Sequence, residues 1–122
     1  MNALLVFLGG GLGALVRYFI YIISPKGCFL PVYTLTANFL GCFVATAVFS
    51  YFLIKSDIDS MYKFLLITGF CGGLSTLSAL SIEMLVYIQN GEYHRAFVYL
   101  LTSLLICTIS VILGLVLVKK YV

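Results

Sequence analysis

The chain has 122 residues, of which 63% are hydrophobic and only 9% are charged, and its net charge is +3. A water-soluble domain of this length carries many more charges on its surface, so the composition excludes that class. The seven basic and four acidic residues are too few and too scattered to indicate a nucleic-acid partner.

Four long apolar runs account for most of the length. They predict a single all-α membrane domain over residues 1–122, with helices at about 3–23, 32–54, 63–89 and 96–118. Each run meets or exceeds the roughly 20 residues that a helix needs to cross a ~30 Å hydrocarbon core. We therefore expect a multi-pass protein of the cell membrane. The N-terminus lacks the basic start and cleavage site of a signal peptide, so we expect the first helix to be retained.

The basic residues next to these runs predict orientation only weakly. With four spans, one face carries Lys55, Lys63, Lys119 and Lys120, and the other carries Lys26 and Arg95. The positive-inside rule favours cytoplasmic termini by this margin of two. Such a small margin leaves room for insertion in both orientations.

The first helix combines small residues with one charge. Gly9 and Gly13, and likewise Gly10 and Ala14, are four apart and would let another helix approach closely, so packing is the favoured interpretation. Arg17 lies about 10 Å from the helix end at ~1.5 Å per residue. Anchoring at the interface, a helix-end contact and contact with a transported ion all remain open for it.

In the second helix, Thr34, Asn38 and Gly41 share one face. An amide inside the bilayer must find a hydrogen-bond partner. Asn38 can serve as glue between two helices, or its N–H groups can serve as donors to a desolvated anion. The sequence leaves both roles open.

The third run contains three glycines and four hydroxyl residues between Thr68 and Ala79. This composition weakens a helix, so we predict a break near the bilayer midplane, of the kind that often marks an ion site. Glu83 follows, an acidic group whose presence in a membrane span is costly. Contact with the interface and pairing with a basic residue such as Arg17 or Arg95 both remain open for it, and the sequence assigns no partner. In the fourth helix, the hydroxyl of Ser103 is only a weak signal, because such groups commonly bond their own helix.

The four cysteines show no C-x-x-C spacing. Three of them lie in apolar runs, where cysteine usually behaves as a small apolar residue. We therefore favour that interpretation over a metal or disulfide role.

Taken together, these segments resemble the Fluc, or CrcB, family of small fluoride channels. Gly9–Tyr18 resembles its G-G-x-x-G-A-x-x-R-Y motif, and Thr34–Gly41 resembles its T-x-x-x-N-x-x-G motif. Gly69–Glu83 resembles G-F-x-G-G-x-T-T-F-S-T-F-S-x-E, and Tyr99 with Ser103 fits Y-x-x-x-S. The match follows the order of all four predicted helices.

This resemblance implies a channel rather than an enzyme. The subunit would pass cytoplasmic fluoride out of the cell down its gradient and so reduce fluoride toxicity. It would pair with a second subunit, identical or paralogous, in antiparallel orientation, and the dimer would hold two pores. A sodium ion at the dimer centre would be bound by the backbone carbonyls of Gly72 and Ser75.

The resemblance also implies which side chains line the fluoride path. They are Thr34, Asn38, Leu77, Leu80, Ser81 and Ser103. The family has phenylalanine at the positions of Leu77 and Leu80, and an aliphatic side chain lacks the partly positive edge of an aromatic ring. Arg17 and Glu83 would have structural or interface roles.

Two alternatives remain beside the conducting channel. The loss of both phenylalanines leaves open a non-conducting or partner subunit of a heterodimeric fluoride channel, although the conducting channel is the leading interpretation. A small multidrug-type transporter also has four helices, but that mechanism needs an acidic residue in the first helix, and this helix has none.

Overall fold

The computed structural model describes residues 2–55 and 60–121, and in this part of the chain every regular element is helical. The helices are α1 (Asn2–Ile23), α2 (Val32–Lys55), α3 (Ser60–Tyr62), a π-helical segment (Lys63–Cys71), α4 (Gly72–Leu74), α5 (Leu77–Gln89) and α6 (Tyr93–Tyr121). The middle of the second predicted connector, residues 56–59, lies outside the described residues.

Among the residues that the structure describes, four stretches are long and apolar enough to cross a membrane, as the sequence predicts. They are Asn2–Ile23, Val32–Lys55, Lys63–Gln89 and Tyr93–Tyr121. The last one begins at Tyr93 rather than at residue 96. The chain is a multi-pass membrane protein of the all-α class.

The connection between α5 and α6 shows how local sequence ends a helix. Gly91 has a φ of 75°, a conformation that glycine adopts without a steric penalty. The amide of Gly91 donates to the Ile88 carbonyl at 3.0 Å, and that of Glu92 donates to the Tyr87 carbonyl at 2.8 Å. This pair of bonds is the Schellman arrangement, which satisfies the last carbonyls of a helix. The turn predicted at Asn90–Gly91 is confirmed.

Helix α1 packs against the π-helical segment and α4 through glycine backbone. A Cβ added at Gly13 would lie 2.8 Å from the Leu74 nitrogen, and one at Gly73 would lie 3.0 Å from the Gly10 Cα. Neither distance leaves room for a methyl group. The close packing predicted for the α1 glycines is therefore confirmed, and it fixes α1 against the segment that precedes Ser75.

Helix α2 packs along α6. The Ser110 hydroxyl donates to the Phe39 carbonyl at 2.6 Å, which ties the two helices together. A Cβ at Gly114 would lie 3.0 Å from the Phe43 carbonyl oxygen, so these backbones also approach closely. The large apolar side chains mostly point outward, as suits a surface that meets lipid or another subunit.

We predict that Gly13→Ala destabilises the protein by about 1–3 kcal/mol, the usual cost of overpacking. The new methyl group would collide with the backbone of Phe70 and Leu74, which cannot rotate away. The measurement is thermal unfolding of the detergent-solubilised protein. Gly11→Ala is the matched control, because a Cβ at Gly11 meets no atom within 4 Å. Equal stability of the two variants would contradict the packing described here.

Candidate functional site

The third membrane-spanning stretch contains two residues with extended backbone. Ser75 has φ −79° and ψ 147°, and Thr76 has φ −151° and ψ 122°, between the end of α4 and the start of α5. The glycines from which the sequence predicts an interruption are helical: Gly69 lies in the π-helical segment, and Gly72 and Gly73 lie in α4. The small size of Gly69 and Gly73 serves the close approach of α1 rather than the change of backbone direction.

Local side chains replace part of the hydrogen bonding that is lost at Ser75 and Thr76. The Thr76 hydroxyl accepts from the Ala79 amide at 3.2 Å and so caps the first turn of α5. The Ser75 hydroxyl donates to the Cys71 carbonyl at 2.9 Å. Hydroxyl residues at these two positions therefore make the extended backbone tolerable inside an apolar span.

Asn38 on α2 completes this arrangement. Its Oδ1 accepts from the Thr76 amide at 2.6 Å, and its Nδ2 donates to the Thr76 carbonyl at 3.3 Å. The side-chain amide thus pairs with the backbone N–H and C=O of Thr76 in the way that a neighbouring β-strand would. We call this two-bond contact the Asn38 clasp. Asn38 is buried, and the structure shows it in the role of glue between two helices.

The clasp and the Thr76 cap together release the carbonyl groups of Gly72 and Ser75 from helical pairing. In a continuous α-helix the Thr76 amide would donate to Gly72 and the Ala79 amide to Ser75. Instead these amides donate to Asn38 Oδ1 and to the Thr76 hydroxyl. The oxygens of Gly72 and Ser75 are therefore available to another partner, and Gly72 is exposed on the subunit surface.

A cavity of about 230 Å³ lies beside this segment, between α2, α5 and α6. Of the six side chains implied in the fluoride path, it brings together Asn38, Leu77, Leu80 and Ser103. Leu80 is 5% exposed, whereas Leu77 is 75% exposed, so the wall at Leu77 opens to the outside of the subunit. We call this space the amide cavity.

The other two residues of that set lie elsewhere. Thr34 lines a second cavity of about 280 Å³ together with Arg17, Tyr33 and Thr76. Because Thr76 lines both spaces, the two cavities adjoin at the extended segment. Ser81 is exposed and lines neither of them, and its hydroxyl donates to the Leu77 carbonyl at 2.9 Å.

Most hydroxyl protons around the amide cavity already have acceptors. The Ser103 hydroxyl donates to the Tyr99 carbonyl at 2.8 Å, and that of Ser75 donates to Cys71. A side-chain amide carries two N–H bonds, and the clasp uses one of them. Within the described part of the chain, Asn38 therefore keeps one N–H group for an occupant of the cavity.

Glu83 joins three helices through hydroxyl groups. Its two carboxyl oxygens accept from Thr34 at 2.8 Å and from Tyr99 at 2.5 Å. Tyr99 is fully buried. In the sequence, only the resemblance to the Y-x-x-x-S motif pointed to this residue. The hydroxyl of Thr34 is thus engaged with Glu83 rather than directed to a path.

The arginines considered as partners of Glu83 lie elsewhere. Arg95 forms an ion pair with Glu92 at 2.9 Å and donates to the carbonyls of Phe29 and Cys28. Arg17 lines the cavity of Thr34, where no ion pair to it is found among residues 2–55 and 61–121. Pairing of Glu83 with Arg17 or Arg95, which the sequence left open, is not seen in these residues.

Comparison with known proteins agrees with this architecture. The profile of the family described as CrcB-like protein, Camphor Resistance (CrcB), matches residues 4–115. A relative from Klebsiella pneumoniae (strain 342), named fluoride-specific ion channel FluC, is 41% identical over 101 residues, covering 82% of this chain and 80% of the relative. Relatives of the same name from Salmonella arizonae and Salmonella newport are 41% identical over 103 residues, covering 84% of this chain and 81% of each relative.

Proposed function

Because this chain belongs to the CrcB-like family, we propose that it is a subunit of a fluoride-specific ion channel. The relatives named for that activity share 41% of their residues with it over most of both chains. The structural observation that carries the proposal is the second N–H group of Asn38, held by the clasp in the wall of the amide cavity. No covalent chemistry is involved.

The clasp gives the amide a fixed orientation. Fluoride is small and strongly hydrated, and its transfer into an apolar span is costly unless donors replace the lost water. An N–H group that is already oriented does not have to be ordered when the ion arrives. Since Leu77 and Leu80 offer no polarised ring edge, the amide carries a larger share of the stabilisation in this chain.

The adjoining cavity supplies positive charge. Arg17 lines it with several hydroxyl-bearing side chains, and a cleft lined by one sign of charge concentrates ions of the opposite sign. An anion attracted there is separated from the amide cavity by Thr76, which lines both spaces. We therefore place the fluoride path along the two cavities, past the extended segment.

The exposed position of Gly72 supports a dimer. A free backbone carbonyl is tolerated in the hydrocarbon region only where protein, water or an ion covers it. A second subunit, identical or paralogous, would cover this surface and also the open wall at Leu77. The nearly balanced distribution of basic residues favours an antiparallel arrangement of the two subunits.

The same oxygens fit the sodium ion that the family resemblance implies. Sodium is a hard cation and prefers oxygen ligands, and unwound backbone carbonyls commonly bind it in membrane proteins. Gly72 and Ser75 present carbonyls that helical pairing has released. A cation bound between two subunits would give these oxygens a partner and help to hold the dimer together.

We predict that Asn38→Asp lowers fluoride efflux from proteoliposomes by roughly tenfold or more. The substitution replaces the amide NH2 group by an oxygen, so both N–H donors are lost and a negative charge is gained. A hydrogen bond to a charged group is worth about 1.5–3 kcal/mol, and each ~1.4 kcal/mol corresponds to about a tenfold rate. Asn90→Asp makes the same chemical change in the exposed turn and should conduct like the parent.

Size-exclusion chromatography must show that the Asn38→Asp protein still assembles, because the variant also loses the bond to the Thr76 carbonyl. If it assembles and conducts like the parent, Asn38 only holds helices together and does not contact the transported ion. If the parent is silent alone but conducts with a paralogous subunit, the chain is the partner subunit of a heterodimeric channel.

We predict that two copies of the chain, or one copy and a paralogue, insert with opposite orientation. Impermeant labelling of a cysteine placed after Val122, in a background without the native cysteines, should reach the tag from both membrane faces. A variant with extra lysines on one face is the control, and its tag should move to a single face. A monomer, or a dimer with all tags on one face, would overturn this arrangement.

We predict that the purified protein unfolds at a higher temperature in sodium chloride than in the chloride salt of a bulky organic cation. A ligand that binds only the folded state raises its stability in proportion to the logarithm of its concentration. Ser75→Ala is the matched variant and should keep the sodium effect, because the proposed ligand at this position is the carbonyl oxygen. Identical melting temperatures in both salts would exclude the site.

A further inference from the structure

A cavity of about 250 Å³ lies at the end of the helix bundle where α1 ends and α2 begins. Its wall is formed by the connector of residues 24–31, the start of α2 and the adjacent ends of α5 and α6, and it includes the basic side chains of Lys26 and Arg95. The path proposed for fluoride runs through two other cavities, so this space has no role in it. We call this space the connector cavity.

Arg95 is held in a fixed orientation by the connector. Its Nε donates to the Phe29 carbonyl, and its Nη2 donates to the Cys28 carbonyl at 3.1 Å. Its guanidinium carbon lies 4.4 Å from the centre of the Tyr87 ring. A guanidinium group carries five N–H bonds, and these two contacts together with the bond to Glu92 use three of them. Within the described part of the chain, Arg95 therefore keeps two N–H groups for another acceptor.

Lys26 is placed in a similar way. Its Nζ donates to the Tyr21 carbonyl and lies 3.5 Å from the centre of the Tyr21 ring and 5.5 Å from that of Tyr33. An ammonium group carries three N–H bonds, so two remain unused among residues 2–55 and 60–121. Both basic side chains can be reached from outside the subunit, since Lys26 is exposed and the Arg95 side chain is 27% exposed.

We propose that the connector cavity binds the phosphate group of an anionic phospholipid. The two cations, less the charge of Glu92 that pairs with Arg95, leave one net positive charge at the cavity. This charge matches the single negative charge of a phosphatidylglycerol headgroup. A zwitterionic headgroup brings its own cation next to the phosphate and is matched less well. Basic pockets between the ends of membrane helices are typical sites for anionic lipid headgroups.

The surroundings of the cavity favour a lipid over a free phosphate ion. The cavity lies where the four membrane-spanning stretches end or begin, which is the level of the lipid headgroups. Tyr33 and Tyr87 line it, and tyrosine is enriched at this level because its ring is apolar and its hydroxyl is polar. The Phe29 ring is 60% exposed and lies 5.1 Å from the Arg95 guanidinium carbon. It therefore offers apolar surface beside the cation, where the glycerol and acyl part of a lipid would lie.

The experiment is native mass spectrometry of the full-length protein, released from detergent after incubation with phosphatidylglycerol or with phosphatidylcholine. We expect one phosphatidylglycerol to be retained per subunit, in preference to phosphatidylcholine. Lys26→Gln should lower this retention about fivefold, the effect of one charge near the membrane surface. Lys119→Gln is the matched control, because Lys119 lies in the last turn of α6, away from the cavity. This control should retain phosphatidylglycerol like the parent.

Glu92→Gln tests the same charge argument with the opposite sign. The substitution removes the acid that pairs with Arg95 and frees an N–H group of its Nη1, so retention of phosphatidylglycerol should rise. Glu92 is exposed, so this variant keeps the proposal testable should Lys26→Gln fail to fold.

Three results would overturn the lipid site. They are equal retention by Lys26→Gln and Lys119→Gln, equal retention of the two lipids, and no rise in Glu92→Gln. A fourth arm uses inorganic phosphate as the probe, and its binding without retention of phosphatidylglycerol would exclude a lipid as the occupant. None of these measurements depends on fluoride transport, so the lipid site and the channel are tested separately.

Discussion

The constraint on which the rest of this structure depends is that backbone polar groups in a membrane span need partners. Ser75 and Thr76 leave helical geometry within an apolar stretch. Side chains from the same segment and from another helix supply hydrogen-bond partners for their backbone groups. Thr76 caps the helix that follows, and Asn38 pairs with both backbone groups of Thr76 from another helix. These side chains thus satisfy part of the hydrogen bonding of the irregular backbone within one subunit, whereas the carbonyls of Gly72 and Ser75 remain released from helical pairing.

Those two carbonyls connect the fold to the proposed assembly. Helix α1 packs its glycines against the backbone just before Ser75, which limits how far this segment can move relative to α1. Hydrogen bonding within one chain and coverage by a second chain are therefore complementary solutions to the same problem. The position of Asn38 beside a cavity means that the residue that supports the backbone is also able to meet an ion.

Hydropathy and turn chemistry were sufficient to predict the four spans and the turn at Asn90–Gly91, because both are local properties. These properties did not predict the location of the extended backbone, because glycines that we interpreted as helix breakers serve close packing instead. The partners of Asn38 and Glu83 lie 38 and 49 residues away along the chain, and a sequence pattern gives the face of a helix rather than the residue opposite it. For the same reason Thr34 and Ser81, grouped with Asn38 by resemblance, lie outside the amide cavity.

The Asn38 clasp contacts only the main chain of residue 76, and this has a consequence for how the gene can vary. Every residue except proline has the same N–H and C=O groups, so the clasp itself places little demand on the codons at 75 and 76. The demand falls on position 38, where few side chains combine an acceptor and a donor at that reach. As far as the clasp alone is concerned, substitution at position 76 is therefore tolerated more readily than substitution at position 38.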